Sequence, residues 1–153
     1  MDSEHRARLA EVGVELPTIS PPSHNYAPTV LARGVMYVSG KVPCPDFPTR
    51  GRLGDEVDTE TGYLAARSAA AHCLAQLEAD LGLEHVAQIL KITGFVASAP
   101  DFHEQPQVIN GASDLFTQVL GARGEHARSA IGVAALPGNW PVEVEITVLT
   151  DGT

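Results

Sequence analysis

The segment His126–Leu149, HARSAIGVAALPGNWPVEVEITVL, decides the fold. In its second half, apolar residues at the even positions 142–148 alternate with polar ones that include Glu143 and Glu145, the period-two pattern of a strand with one buried face. In its first half, Arg128 shares one face of another predicted strand with small residues. The segment therefore predicts two neighbouring strands that present one arginine and two glutamates.

These side chains suit a carboxylate-binding site with acid/base chemistry. The planar guanidinium of Arg128 offers two parallel N–H donors to a carboxylate, and a nearby glutamate can pass protons to the group that reacts. The alternative is a surface ion pair between Arg128 and a glutamate on the adjacent strand, which would stabilise the sheet without any chemistry. The residue types alone leave both interpretations open.

Length, composition and charge limit the function classes. A chain of 153 residues with 44% hydrophobic and 19% charged residues is typical of one globular domain. The formal net charge of −9, with only ten Lys and Arg, disfavours nucleic acid as a partner. No apolar run approaches the roughly 20 residues of a membrane span, and the polar start lacks a signal-peptide core, so we expect a cytoplasmic protein. Cys44 and Cys73 are expected to be free thiols.

Hydrophobic periodicity predicts the order β-β-α-β-α-β-β after a short N-terminal helix. Asp101 is the predicted cap of the last helix, and the loop 42–57, rich in Pro and Gly, is predicted to be a mobile surface loop. The predicted helices are Ser3–Val12, Thr59–Leu83 and about Phe102–Leu120, and the predicted strands are Thr29–Arg33, Val35–Lys41, His85–Ser98, Arg128–Ala134 and Val142–Thr150.

No motif for a metal or a cofactor is recognisable. The six histidines lack the spacing of metal ligands, and the sequence contains no phosphate-binding GK[ST] loop, GxSxG elbow or HExxH helix. His126 lies two residues before Arg128 and is interpreted as a solvated loop histidine or as a group that tunes the arginine. We therefore predict that the protein uses neither a metal nor an organic cofactor.

Four blocks of sequence resemble a known family. They are NYAPTVLARGVMYVSGKVP at 25–43, KITGFVASAPDF at 91–102, VINGASDLF at 108–116 and HARSAIGVAALPGNWPVEVEITV at 126–148. Over residues 24 to 150 the chain resembles the Rid or YjgF-like proteins, the reactive intermediate imine deaminases that are also labelled L-PSP endoribonucleases. The last block is the most specific, because its Arg-Ser pair, Leu-Pro turn and V-E-V-E strand occur at the intervals found in that family.

The resemblance implies an α+β, chorismate-mutase-like fold in which a single sheet packs on two helices. It implies a single Rid-like domain at 24–153 that follows an N-terminal extension at 1–23. It also implies a homotrimer with ligand sites in the clefts between subunits. The implied activity is hydrolysis of reactive enamines and imines, such as 2-aminoacrylate, to 2-keto acids and ammonia without a metal or an organic cofactor. The implied partners are a small carboxylate-bearing substrate and further copies of the chain. No membrane partner is expected, and the acidic charge of the chain disfavours nucleic acid.

The resemblance also assigns roles to individual residues. Arg128 matches the arginine that holds the substrate carboxylate, and Glu143 matches the acid that positions or activates water. The substrate is expected to lie over the surface that contains Ala130. The positions that match the rest of the pocket lining are Tyr26, Ser39 and Asn110.

One departure separates this chain from many family members. Ala130 stands two residues after Arg128, where many members have a cysteine, so thiol chemistry is excluded at this position and the chain is assigned to a divergent branch. Two alternatives to a deaminase remain open at this stage. One is a non-catalytic trimer that binds small carboxylates, and the other, less favoured because of the acidic charge, is an endoribonuclease.

Overall fold

The alternating strands form one sheet that is covered on one face by helices. The computed structural model describes residues 1–21 and 24–152, so the predicted boundary at residue 23 lies outside the described part of the chain. In chain order the elements are α1 Ser3–Glu11, β1 Thr29–Ala32, β2 Val35–Lys41, α2 Thr59–Asp80, β3 Val86–Ala97, α3 Gln105–Leu120, β4 Ala127–Val133 and β5 Val142–Thr150, with 3-10 turns at Leu83–His85, Gly121–Gly124 and Pro137–Asn139.

The sheet is mixed and has the order β1-β2-β5-β3-β4. β5 is antiparallel to both β2 and β3, whereas β3 and β4 are parallel because helix α3 connects them in a crossover. One mixed sheet with three helices confirms the predicted α+β class. The prediction that β4 and β5 are neighbours is wrong, because β3 lies between them. The strongly apolar β5 occupies the centre of the sheet, whereas β4, with small and partly exposed residues, forms an edge.

The two faces of the sheet differ in cover. The helix face, defined by the buried side chains of Val142, Val144, Ile146 and Val148 on β5, packs against α2 and α3. The open face, defined by Glu143, Glu145 and Thr147 on the same strand, has no cover within the described chain. Alternation along β5 therefore divides core from exposed surface as the sequence predicts.

Helices α2 and α3 pack closely because small residues line their contact. Ala65, Ala66, Ala69 and Ala70 of α2 are completely buried. A Cβ atom built on Gly111 of α3 would lie 2.0 Å from the Tyr63 backbone oxygen on α2, so only glycine fits at this position. This contact fixes the position of α3, which contributes part of the site described below.

Two local predictions need correction. Asp101 does not cap α3: the helix begins at Gln105, after Glu104, and Pro106 in its first turn sets the start. The loop 42–57 contains neither helix nor strand, as predicted, but it is anchored in the core by the buried Leu53 and Val57. Leu53 also exchanges backbone hydrogen bonds with the end of β3 and the residues that follow it.

Candidate functional site

Arg128 lies on the helix face at the edge of the sheet. It pairs with Ile92 of β3, which in turn pairs with the buried Ile146, and directly paired residues place their side chains on the same face. The Nη1 atom donates to Asn110 Oδ1 at 2.9 Å and to Ser113 Oγ at 3.0 Å. These bonds hold the guanidinium beside α3, where part of it remains exposed.

No carboxylate within the described residues forms an ion pair with Arg128. Its hydrogen-bond acceptors are the neutral side chains of Asn110 and Ser113 and, at 3.3 Å from Nη2, the Pro106 backbone oxygen. The Arg–Glu ion pair considered from the sequence is therefore absent from the part of the chain that the structure describes. The guanidinium keeps its charge and can receive an external carboxylate.

His126 supports Arg128 indirectly. Its Nδ1 donates to the Gly124 oxygen, which leaves Nε2 to accept a hydrogen bond from the Ser113 hydroxyl at 2.9 Å. The same Ser113 oxygen accepts from Arg128. Burial lowers the pKa of His126, with a smaller contribution from the Arg128 charge, and this favours the neutral ring that the arrangement requires. His126 is thus half-buried and hydrogen-bonded, not a solvated loop histidine.

Ala130 and Gly132 continue the face of β4 that carries Arg128. Ala130 pairs with Gly94 of β3 and packs partly against the hydrophobic core. A Cβ atom on Gly132 would lie 2.8 Å from Nε2 of Gln105, at the start of α3. The small residues therefore allow the close approach of α3, and they leave Arg128 as the main polar group of this part of the strand.

Glu143 lies on the opposite, open face. It pairs with Phe95 of β3 and lines a cleft of about 480 Å³. Ligand pockets commonly have volumes of about 300 to 1,000 Å³. Burial raises the pKa of Glu143, and the neighbouring negative charge of Glu145 raises it further. A carboxyl group whose pKa is moved toward neutrality is suited to proton transfer near pH 7.

Tyr26 and Ser39 line the same cleft as Glu143. Ser39 lies at a bulge of β2 opposite β5, and its hydroxyl donates to the Ala27 oxygen at 2.7 Å. This bond ties the segment that carries Tyr26 to the sheet. A Cβ atom on Gly40, the next residue of the bulge, would lie 2.0 Å from Oε1 of Glu143, so the absence of a side chain there makes room for the carboxyl group.

Trp140 forms part of one wall of this cleft, and Arg50 packs against it. Trp140 lines it, and the Arg50 guanidinium lies 3.0 Å from the centroid of the indole ring, a close cation–π contact. Arg50 also donates to the Phe47 and Thr49 oxygens, and Gly51 N–H donates to the Asn139 oxygen. The cation–π contact and the Gly51 hydrogen bond therefore hold the loop 42–57 against the turn that contains Trp140. No local pattern predicts the contact between Arg50 and Trp140, because the two residues are 90 positions apart.

The six predicted site residues fall into two groups on opposite faces of the sheet. Tyr26, Ser39 and Glu143 share the open-face cleft, whereas Arg128, Asn110 and Ala130 lie on the helix side near α3. A single ligand cannot contact both Arg128 and Glu143 of one copy, because the sheet separates them. The two groups can form a common site only if they come from different copies.

Two structural features are absent from residues 1–21 and 24–152. No group of three or more His, Cys, Asp or Glu side chains is arranged to hold a metal ion. None of the helices combines the length and hydrophobicity that a membrane crossing requires.

The fold and these motifs match a known family. Residues 18–150 match the family described as Endoribonuclease L-PSP, and the chain belongs to this family, also known as the Rid or YjgF family. Among curated proteins, the chain is 40% identical over 146 residues to "Protein TCP17" of Trypanosoma cruzi, covering 93% of this chain and 91% of the relative.

Two solved structures share the fold over nearly the whole chain. The protein Atu1372 of Agrobacterium tumefaciens, described as of unknown function, superposes with a TM-score of 0.89 at 40% identity, covering 97% of this chain and 94% of that one. A protein of Shewanella oneidensis described as a "putative endoribonuclease" superposes with a TM-score of 0.90 at 28% identity, covering 96% and 99%. The family is thus established, and the activity within it is a separate question.

Proposed function

We propose that this protein hydrolyses reactive 2-imino acids and their enamines, such as 2-aminoacrylate, to 2-keto acids and ammonia. The observation that carries the proposal is the state of two side chains: within the described residues Arg128 has no carboxylate partner, and burial raises the pKa of Glu143. An arginine in this state can bind the carboxylate of the substrate, and such a glutamate can move protons. Membership of the Rid family supports the assignment.

We further propose that the site forms between copies of the chain in a homotrimer. The open face carries several large apolar side chains that are at least one-third exposed, which favours burial against another copy. These side chains are Val30, Tyr37, Ile131 and Leu149. Covering this face with a neighbouring copy would bring a second chain close to the Glu143 cleft, and the Arg128 edge of that second chain would complete the site.

In the proposed reaction, Arg128 binds the α-carboxylate and Asn110 holds the guanidinium in place. Glu143 takes a proton from a water molecule, whose oxygen bonds to the C=N carbon, and then passes the proton to nitrogen. Glu143 then accepts the hydroxyl proton of the resulting carbinolamine and passes it to the amino nitrogen. The C–N bond breaks, ammonia leaves, and the hydroxyl oxygen becomes the keto oxygen. Tyr26 and Ser39 line the cleft around the reacting carbon. No electron transfer is involved, so no redox cofactor is needed.

A non-catalytic carboxylate-binding trimer is the second candidate. The Arg128 group alone, with Asn110 and Ser113 fixing the guanidinium, would be sufficient for binding. The raised pKa of Glu143 favours the catalytic alternative, because binding of an anion does not require a proton-transfer group. The two functions differ in turnover: a binding protein would hold 2-keto acids but release no ammonia from any imine.

Ribonuclease activity is the least supported candidate. A basic surface for RNA would have to use residues such as Arg50, Arg52 and Arg123. Arg50 lies on Trp140, Arg52 forms an ion pair with Asp55, and Arg123 donates to the Val86 oxygen. With these arginines engaged and a formal net charge of −9, an extended phosphate-binding surface has little support.

The test measures ammonia release from freshly generated 2-imino acids with small and large side chains. The wild type is expected to accelerate ammonia release. Arg128→Ala is expected to lower kcat/KM by about 100-fold, because it removes a charge-assisted, bidentate contact with the substrate carboxylate. Arg6→Ala, which removes an α1 arginine that donates to the Met1 oxygen and belongs to neither group, is the matched control. Full activity in Arg128→Ala at an unchanged molecular mass would refute the assignment of the carboxylate clamp.

A further inference from the structure

A second, polar cleft lies beside the candidate site and is not used by the proposed reaction. It has a volume of about 220 Å³. Its polar lining consists of Thr18 and Ser20 from the segment before β1, Tyr26, Lys41 at the end of β2, and His72 of α2. None of the described residues that line it is acidic.

Lys41 is the strongest cation of this cleft. It is one of only two lysines in the chain, and its ammonium donates to Oε1 of the buried Gln76 at 2.7 Å. Gln76 in turn donates to Asp80 at 2.8 Å, which fixes the orientation of its amide. In this hydrogen-bond network, the Asp80 carboxylate is therefore linked to Lys41 only through Gln76. An ammonium has three N–H donors, so this contact leaves two for another partner.

His72 is held beside Lys41 in a defined orientation. Its Nδ1 lies 3.1 Å from the Val42 oxygen and donates to it, and Nε2 has no hydrogen-bond partner among the described residues. Burial lowers the pKa of His72, and the Lys41 charge lowers it further. Burial also lowers the pKa of Lys41. The Asp80 charge offsets only part of the effect of burial on Lys41, and no carboxylate contacts the ammonium directly, so a bound anion would stabilise its charge. In the neutral ring of His72, Nε2 is an acceptor, and a bound oxyanion would favour the protonated ring, which donates from Nε2.

We infer that Lys41 and His72 form a binding site for a small oxyanion, a carboxylate or a phosphate group, within the cleft of Thr18, Ser20 and Tyr26. Lys41 supplies the charge and two N–H donors, and the hydroxyl groups supply further donors. The inference does not depend on the proposed deaminase activity.

Two sources of the oxyanion are compatible with this cleft, and the same side chains would bind either one. Tyr26, Gly40 and Val42 line both this cleft and the Glu143 cleft, so the two are neighbours along one wall. The anion can be the distal acidic group of a substrate that reaches past Gly40 from Glu143. It can equally be a free anion that binds next to the site and steadies Tyr26. The first source, which rests on the proposed function, predicts a preference for imino acids with a second acidic group.

Calorimetric titration of the intact protein with inorganic phosphate, and separately with succinate, tests the site. Saturable binding is expected, and Lys41→Gln should weaken it about tenfold or more, because it removes a charged donor yet keeps an amide that can pair with Gln76. Arg6→Gln, which removes one positive charge from an arginine that does not line the cleft, should bind as the wild type does. His72→Gln provides a second variant should Lys41→Gln fail to fold. Absence of saturable binding, or equal affinity in the wild type and both cleft variants, would overturn the inference.

A kinetic comparison then separates the two sources. The imino acids derived from glutamate and from alanine are compared in the wild type and in Lys41→Gln. A fall in the ratio of kcat/KM for the acidic over the neutral substrate identifies a substrate group as the anion. An unchanged ratio together with lost phosphate binding identifies a free anion. If no imine is hydrolysed at all, the proposed activity fails, but the calorimetric result for the anion site still stands.

Discussion

Arg128 and Glu143 lie on opposite faces of the same sheet, with β3 between their strands. Arg128 pairs with Ile92, whose side chain faces α2 and α3, whereas Glu143 pairs with Phe95 on the open face. Both side chains have features of an active site, yet they cannot act on one molecule from within one copy. If they serve the same reaction, the Arg128 of one subunit must work with the Glu143 of another.

Mixed oligomers of two inactive variants test this arrangement. Arg128→Ala and Glu143→Gln are each expected to be inactive alone. When the two variants are co-expressed in equal amounts, each site takes Arg128 from one copy and Glu143 from the next. The copy that supplies Arg128 has an intact arginine with a probability of one half, and the copy that supplies Glu143 has an intact glutamate with the same probability. About a quarter of the sites are then intact, so about a quarter of the wild-type activity should return. Ammonia release measures the recovery.

The matched control mixes each variant with a copy of itself that carries a different purification tag. Such mixtures contain no intact site and should remain inactive. If the mixed Arg128→Ala and Glu143→Gln protein were also inactive, although mass measurements showed that both chains were in the same oligomer, the shared site would be ruled out.

The pH dependence of turnover should report the ionisation of Glu143. The proposed step requires the carboxylate form, so kcat/KM should rise as the pH passes upward through the pKa of Glu143, which burial and Glu145 hold above its ordinary value of 4.5. Replacing Glu145 with Gln removes a negative charge that raises this pKa. The acid limb of the profile should therefore move to lower pH in Glu145→Gln. Glu11→Gln, an exposed change on α1, should leave the limb in place.

Gly40→Ala should lower activity while leaving the fold intact. Its Cβ atom would be placed 2.0 Å from Oε1 of Glu143, and the side chain of Glu143 can yield by rotating away from the cleft. We expect kcat/KM to fall about tenfold or more, since a small displacement of a catalytic group is costly, with little change in melting temperature. In a Glu143→Gln background the same substitution should have little further effect. An additive loss in the double variant would show that Gly40 acts through some other group.

Much of the fold could be predicted from local pattern. Alternation along 142–150 correctly separated the buried valines from Glu143 and Glu145, and the alanine-rich segment after residue 59 correctly indicated a long helix. Strand order was harder, because alternation reports which face is buried and not which strand is adjacent. The short connection between β4 and β5 suggested a hairpin, but the chain passes over the end of β3 to place β5 at the centre.

The candidate site was predictable in its residue types and not in its geometry. Arg128 and Glu143 stand out in the sequence, yet the pattern could not reveal that the sheet separates them. Contacts between distant residues gave no local signal at all: Arg50 on Trp140 and the pairing of Lys41 with Gln76 depend on how the loop 42–57 and helix α2 pack. Family resemblance supplied the roles, and only the packing shows which groups share a cleft.

Gly111→Ala is expected to destabilise the protein, against the usual effect of this substitution in a helix. In an ordinary helix, alanine is more favourable than glycine by roughly 0.5 to 1 kcal/mol. Here the added Cβ atom would lie 2.0 Å from the Tyr63 backbone oxygen, and neither backbone can yield without separating α2 from α3. The free energy of unfolding should fall by about 2 to 3 kcal/mol, the cost of overpacking a close contact. Denaturant titration at a fixed protein concentration measures it, with Gln118→Ala on the exposed side of α3 as the control. A midpoint of unfolding equal to that of the wild type would show that the two helices are not held this closely. Because α3 carries Asn110 and Ser113, the variant should also bind carboxylates less tightly.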